Sequence, residues 1–252
     1  MNKKIYVIIM ILIFMMIAIN FDAAENPDYI LQRVDNYRAP GNSFSSLIDI
    51  ITTKNKKIIE NNTMKVVTKI MDNFKNRSVG LFLKPENQKG RKILLIDTDT
   101  WLYIPGAKKS IMISPAQKLS GNASTGDILS VNFRADYNPV ILGEEKVGNT
   151  ETYKMELSAK TSRVTYFKIL LNVSKNDYKP VKAEYYAKSG KLLKKGYFKK
   201  FANYSGKELC VEFLIVDEIF QDRITIVRYL DYKLENINDS SFNKDLLKDL
   251  NL

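Results

Sequence analysis

In the stretch Asp97–Asp127, DTDTWLYIPGAKKSIMISPAQKLSGNASTGD, the chain's only tryptophan, Trp101, opens a short apolar strand that Pro105-Gly106 ends. Proline cannot donate to a strand ladder and glycine frees the backbone, so the pair marks a turn. The chain beyond that turn, through Lys108-Lys109, Ile113-Ser114-Pro115 and Ser120-Gly121, is punctuated too often for one regular element. An aromatic strand running into such a loop suits a flap over an apolar cavity better than a catalytic apparatus.

On both sides of this stretch the apolar period is two. Met64, Val66, Thr68 and Ile70 alternate with Lys65, Val67 and Lys69, and Tyr153, Met155 and Leu157 with Lys154, Glu156 and Ser158. Val181, Ala183 and Tyr185 oppose Lys182 and Glu184, and Leu209, Val211, Phe213 and Ile215 repeat the pattern. Successive strand side chains point to opposite faces, so these are strands with one wet face, which pair antiparallel. Turn signals at Pro85-Glu86-Asn87, Lys89-Gly90, Asn138-Pro139, Gly148-Asn149, Asn176-Asp177, Ser189-Gly190 and Ser205-Gly206 space them as a meander. About ten or eleven strands are expected between Phe44 and Leu234. A sheet that long should curl, and its concave apolar face then needs a cover. One cover is a helix over Asn26–Arg38, with Ile30, Leu31, Val34 and Tyr37 on one stripe and Pro27 in the first turn. The other is the irregular region after Pro105. The expected fold is mainly β (α+β): a strongly curved antiparallel sheet forming an incomplete barrel, with short helices as a lid over an apolar cavity. One domain should span residues 25–240, and residues 241–252, with Phe242, Leu246, Leu247 and Leu250, should form a short helix or a tail.

The first residues carry an address. Lys3 and Lys4 precede an unbroken apolar run, Ile5–Ile19, the layout of a secretory signal. The run is short of the roughly 20 residues a membrane span needs. Residues 1–24 are therefore expected to be a signal peptide cleaved near Ala24, with an uncleaved anchor in the inner membrane as the alternative, and the domain is expected in the periplasm. No cysteine lies nearby to accept a lipid. The formal charge is +11, and removing Lys3, Lys4 and Asp22 would leave +10. Such an excess favours anionic surfaces, and export makes lipid head groups, not nucleic acid, the expected ones. The single cysteine, Cys210, rules out an intrachain disulfide, so stability must come from a core. Asn-x-Ser/Thr triplets begin at Asn61, Asn76, Asn122, Asn172 and Asn203, as chance would produce in a composition rich in asparagine.

There is no histidine anywhere. That excludes Ser-His-Asp and Cys-His catalysis, histidine-ligated zinc and the H-E-x-x-H metalloprotease. No phosphate-cradling glycine loop follows a strand, so no cofactor is expected. The acid doublets Glu144-Glu145 and Asp217-Glu218 point to opposite faces and cannot share a pocket. The mixed run Lys194–Phe201 could stack bases, but period two places its aromatics mainly toward a core and some of its lysines on a wet face.

Trp101-Leu102-Tyr103-Ile104-Pro105, then Lys108-Lys109, Ile113-Ser114-Pro115 with Gln117-Lys118, and Ser120-Gly121 through Asp127 resemble the signature of the LolA-like outer-membrane lipoprotein-sorting proteins. The helix ending Val34-Asp35-Asn36-Tyr37-Arg38 fits the same pattern. Ile128 and Leu129 stand where many members carry aromatics. The resemblance implies a half-barrel with a helical lid that encloses acyl chains of lipids or lipoproteins without breaking a bond. It implies Phe82, Trp101, Tyr103, Pro105 and Met112 as cavity or lid residues and Lys108 and Lys109 as head-group contacts. It also implies a monomeric carrier in lipoprotein sorting or lipid transport, working between an inner-membrane exporter and an outer-membrane acceptor. The alternative it leaves open is an envelope sensor or protein-interaction module like the RseB and MucB group.

Overall fold

The structure, a computed structural model, describes residues 25–218 and 222–252; the signal segment and the cleavage expected near Ala24 lie outside them. The first helix, α1 (Pro27–Asn36), starts where Asn26 Oδ1 accepts from the backbone N–H of Asp28 at 2.9 Å, an N-cap that satisfies an otherwise orphaned donor. Its stripe of Ile30, Leu31 and Val34 is fully buried.

Six strands come next: β1 (Ser43–Lys54), β2 (Lys57–Ile70), β3 (Asn76–Lys84), β4 (Lys92–Ile96), β5 (Asp99–Tyr103) and β6 (Ile111–Ile113). A small ribbon, β7 (Lys118–Ser120) with β8 (Ala123–Ser124), leads into two short helices, α2 (Thr125–Leu129) and α3 (Phe133–Asp136). The chain then runs through β9 (Tyr137–Val147), β10 (Thr150–Ala159), β11 (Lys168–Ser174), β12 (Pro180–Tyr186), β13 (Leu192–Tyr204), β14 (Lys207–Asp217) and β15 (Arg223–Leu234).

Thirteen strands form one antiparallel sheet in the order β6-β5-β4-β3-β2-β1-β15-β14-β13-β12-β11-β10-β9, which does not close into a barrel. Every neighbour in it is also a neighbour in sequence except β1 and β15, which pair at the centre from Phe44 opposite Leu234 to Lys54 opposite Arg223. The count exceeds the expected ten or eleven because β4, β5 and β6 are only three to five residues long, too short for alternation to separate them. Asn138-Pro139 is not a turn but the start of β9. β9 is an edge strand, where a missing N–H need not break the ladder. Ser205 (φ 52°) and Gly206 (φ 83°) form the tight turn between β13 and β14, the left-handed pair that suits a twisted hairpin.

The two ends of this order explain the lid. β6 and β9 lie at opposite edges of the sheet, so the chain between Ile113 and Tyr137 has to cross a face. It crosses the apolar one. Leu129 of α2 packs beside Gly80 of β3, where an added Cβ would meet Leu129 Cδ2 at 3.3 Å and Met64 Cε at 2.7 Å. Ile128, Leu129 and Phe133 join α1 and the inward residues of both wings, such as Ile48, Met64, Met155 and Ile215, in one core. A second apolar layer lies on the other face, where Ile237, Phe242 and Leu247 cover Val67, Val79 and Leu94. The C-terminal residues are thus a packed strap, held by a 3-10 turn at Asp239–Phe242.

Candidate functional site

The lid is tied to the sheet by buried polar groups. Lys194 on β13 donates to Asp127 on α2, with both side chains nearly inaccessible at 7% and 3% exposure. Lys194 Nζ also donates to Asn122 O at 3.1 Å. Asp127 further accepts from Tyr166 Oη at 2.8 Å and from the Ser124 N–H at 2.8 Å. The Ser124 bond is half of a capping box that starts α2. The pair is buried and hydrogen-bonded on both sides, the condition under which burial of an ion pair is tolerable.

A second tie comes from the end of α1. Arg38 Nη2 donates to the carbonyl oxygen of Ser130, between α2 and α3, at 2.7 Å. Its guanidinium lies 4.0 Å from the centre of the Phe133 ring, close enough for a cation–π attraction. A third is Asp35, whose carboxylate accepts the first N–H groups of α3, Phe133 at 2.7 Å and Arg134 at 3.0 Å. Burial pushes the Asp35 carboxyl up to about 6, against the pull of Arg38 and those two N–H groups. Burial does the same to Asp136, again to about 6, against Lys75 and Lys160.

The ribbon before α2 is seated just as closely. Gly121 has φ +54°, and a Cβ there would lie 1.9 Å from Thr52 Oγ1 and 2.5 Å from Thr225 Oγ1. Those two hydroxyls share a hydrogen bond of 3.0 Å across β1 and β15, and the Asn122 N–H donates to Thr225 Oγ1 at 2.8 Å. Glu60 receives Ser120 Oγ and the Gly121 N–H, each at 3.0 Å.

Between the lid and the inner face of β12–β15 lies a cleft of about 50 Å³, lined by Arg38, Phe133, Tyr166, Phe213, Tyr229 and Tyr232 among others. Burial pushes the Tyr229 phenol to about 12 and that of Tyr166 far above its ordinary value, so both remain neutral hydroxyls. Cys210, also in the lining, is pushed by burial to about 12, which keeps it a thiol and a poor nucleophile.

The residues singled out from sequence fall in two places. Phe82 is in the inner core. Leu102 points inward, so its neighbours Trp101 and Tyr103 point outward and pack against the C-terminal strap. Met112 pairs with Trp101 across β5 and β6 and is 63% exposed. Pro105 sits on an exposed turn. Lys108 and Lys109 border a hollow of about 290 Å³ with Trp101, Met112, Lys244 and Lys248. The structure therefore brings Trp101, Met112 and the two lysines together, on the face opposite Phe82 and away from the lidded cleft. Period-two alternation separates the two faces of β5 but does not say which is concave. Arg38 and Lys194, which hold the lid, were not singled out; Lys194 and Asp127 meet across sixty-seven positions, a pairing no local pattern carries.

An open antiparallel sheet that lays a tied helical lid across one of its apolar faces defines a class of fold, the lidded sheet that stops short of a barrel. A family model described as "Uncharacterized protein" matches residues 75–249. No curated protein matches at a significant level. Among solved structures, the chain is similar to the LolA superfamily protein NE2245 from Nitrosomonas europaea, at 30% identity and TM-score 0.81 over 88% of this chain and 99% of that one. A putative outer membrane lipoprotein-sorting protein domain from Vibrio parahaemolyticus has the same fold, at 20% identity and TM-score 0.74 over 88% and 100%. So does a DUF1329 family protein from Desulfovibrio piger, at 19% identity and TM-score 0.72 over 87% and 98%. The chain belongs to the LolA superfamily. Among the described residues no helix is long and apolar enough to cross a membrane.

Proposed function

We propose that the protein is a non-enzymatic carrier of the periplasm that takes up acyl chains of lipids or lipoproteins beneath its lid. The observation that carries this reading is the lid: a segment crossing from one sheet edge to the other over an apolar concave face, held by a few polar ties and not by a continuous ladder. Removing acyl chains from water stabilises the complex by about 0.8 kcal/mol per methylene. Release then requires the lid to relax at an acceptor. The cleft of about 50 Å³ is far below the roughly 300–1,000 Å³ of a working ligand pocket, so the carrier reading requires a more open state than this one. Uptake has to displace Val131, Phe133 and their neighbours.

Native mass spectrometry of protein recovered from its own envelope tests the reading, together with titration of a fluorescent fatty acid. Co-purifying lipid, or saturable uptake displaced by unlabelled acyl chains, is expected. Protein that is repeatedly empty and takes up no acyl probe sinks it. In that case crosslinking in the envelope decides for the sensor or interaction-module alternative if it traps a membrane regulator.

A further inference from the structure

One corner of the molecule plays no part in the cleft. The hairpin between β5 and β6 exposes every residue from Ile104 to Lys109. Ile104, Ile111 and Met112 are 46%, 52% and 63% exposed, three large aliphatic side chains on one tip. Across the hollow of about 290 Å³, the hairpin's Lys108 and Lys109 face Lys244 and Lys248 of the C-terminal strap, with Asp245 as the only acid in the lining. Asp245 is engaged by Lys244 at 2.9 Å and Asp249 lies 3.9 Å from Lys248, so four lysines stand against two acids and Lys108 and Lys109 carry the excess. The two sides of the hollow are held together by Ser110 Oγ donating to Lys244 O at 3.2 Å, and the strap is fixed by Lys92 Nζ donating to Lys248 O at 2.7 Å. Like charges gathered in this way favour an anion between them.

We propose that this corner docks the protein on an anionic lipid bilayer, with phosphate head groups in the lysine hollow and Met112, Ile111 and Ile104 among the upper acyl chains. Edge geometry favours a bilayer over a protein surface. β6 is an edge strand, and Ile111 and Met112 project to its two opposite faces. A partner covering the Trp101 face would leave Ile111 in water, whereas a bilayer met edge-on takes both. Trp101 on the floor of the hollow would then lie near head-group level, where indole rings are favoured.

The chain has one tryptophan, so its emission reports on this corner directly. The protein, as cells process it, is mixed with phosphatidylcholine vesicles with and without phosphatidylglycerol. Binding only in the presence of phosphatidylglycerol, weakened by salt, with Trp101 quenched by lipids brominated high on the chain, is the expected result. Lys108→Glu with Lys109→Glu should weaken partitioning by roughly tenfold or more, since each cation near such a surface contributes about a fivefold factor. The same charge change at the β1–β2 tip, Lys56→Glu with Lys57→Glu, should cost less than about threefold. Equal losses from both pairs, equal binding to neutral vesicles, or no quenching of Trp101 in bound wild type would each overturn the proposal. So would soluble glycerol phosphate filling the hollow as tightly as vesicles do. None of these readouts depends on acyl uptake, so the carrier reading stands or falls separately.

Discussion

Lys194 and Asp127 tie the lid to the sheet through a buried ion pair. Lys194→Met leaves Asp127 with its bonds from Tyr166 and Ser124 but with an uncompensated buried charge, which costs about 3–5 kcal/mol. For a chain of this size that lowers Tm by roughly 10 °C. Lys194→Met combined with Asp127→Asn removes the charge as well, and should recover much of the loss in a thermal melt. A single-variant shift of only a degree or two would mean that the pair is solvated in solution. These residues also mark where the sequence stops being readable. Alternation showed that Lys194 lies in a strand of mixed bases and aromatics, and read some of the lysines there as solvated. Its actual place, bonded directly to Asp127 with the Tyr166 ring at 5.0 Å, follows from a lid that local pattern cannot position. Trp101 illustrates the complementary case: the strand and its end at Pro105 were legible. Which face Trp101 joined depended on Ile237, Phe242 and Leu247, more than a hundred residues later.

At the scale of the element, α3 is a four-residue helix that depends on its cap. Asp35 supplies that cap from another helix, and its carboxyl is raised by burial from 3.8 to about 6 in the folded protein. Asp136, at the other end of α3, is raised likewise. Between pH 3.8 and 6 the folded state therefore binds more protons than the unfolded one at both groups. Their contribution to stability is full below about pH 4 and is lost as pH rises through 6. Glu145, held low by hydrogen bonds from Lys154 and Asn172, works in the opposite direction and loses stability on acidification below its ordinary value of 4.5. The balance places maximal stability near pH 5. Calorimetry should find a higher Tm at about pH 5 than at about pH 7.5, and Asp35→Asn should flatten that rise. A wild-type Tm that falls on acidification over that range, or an Asp35→Asn profile parallel to wild type, contradicts the assignment. The helix itself was foreseen only as irregular cover after Pro105, because its four residues, Phe-Arg-Ala-Asp, carry no stripe of their own.

For the whole molecule, the consequence of pairing β1 with β15 at the centre is that the two free edges, β6 and β9, are as far apart as the sheet allows. The lid is the only connection between them, anchored at both ends by the strands it joins and tied in the middle by Arg38 and Lys194. A segment so anchored cannot swing away as a flap on one hinge; the carrier reading requires it to open by bowing outward, which would break the Arg38 bond to Ser130 O and move Phe133 off the guanidinium. On the carrier reading, acyl uptake then has two steps, opening and filling. The observed rate in stopped flow should rise with ligand concentration and level off at the opening rate. Arg38→Met removes a charge-assisted hydrogen bond and a cation–π contact together worth about 2–3 kcal/mol, and should raise that plateau by roughly thirtyfold or more while leaving the fold intact by circular dichroism. Amide exchange between Ile128 and Phe133 should quicken in parallel, with exchange in β1 and β15 unchanged. A rate that climbs linearly with ligand, equal in wild type and Arg38→Met, would mean that ligand enters past a closed lid, and the ties would then hold the fold together without gating the cleft.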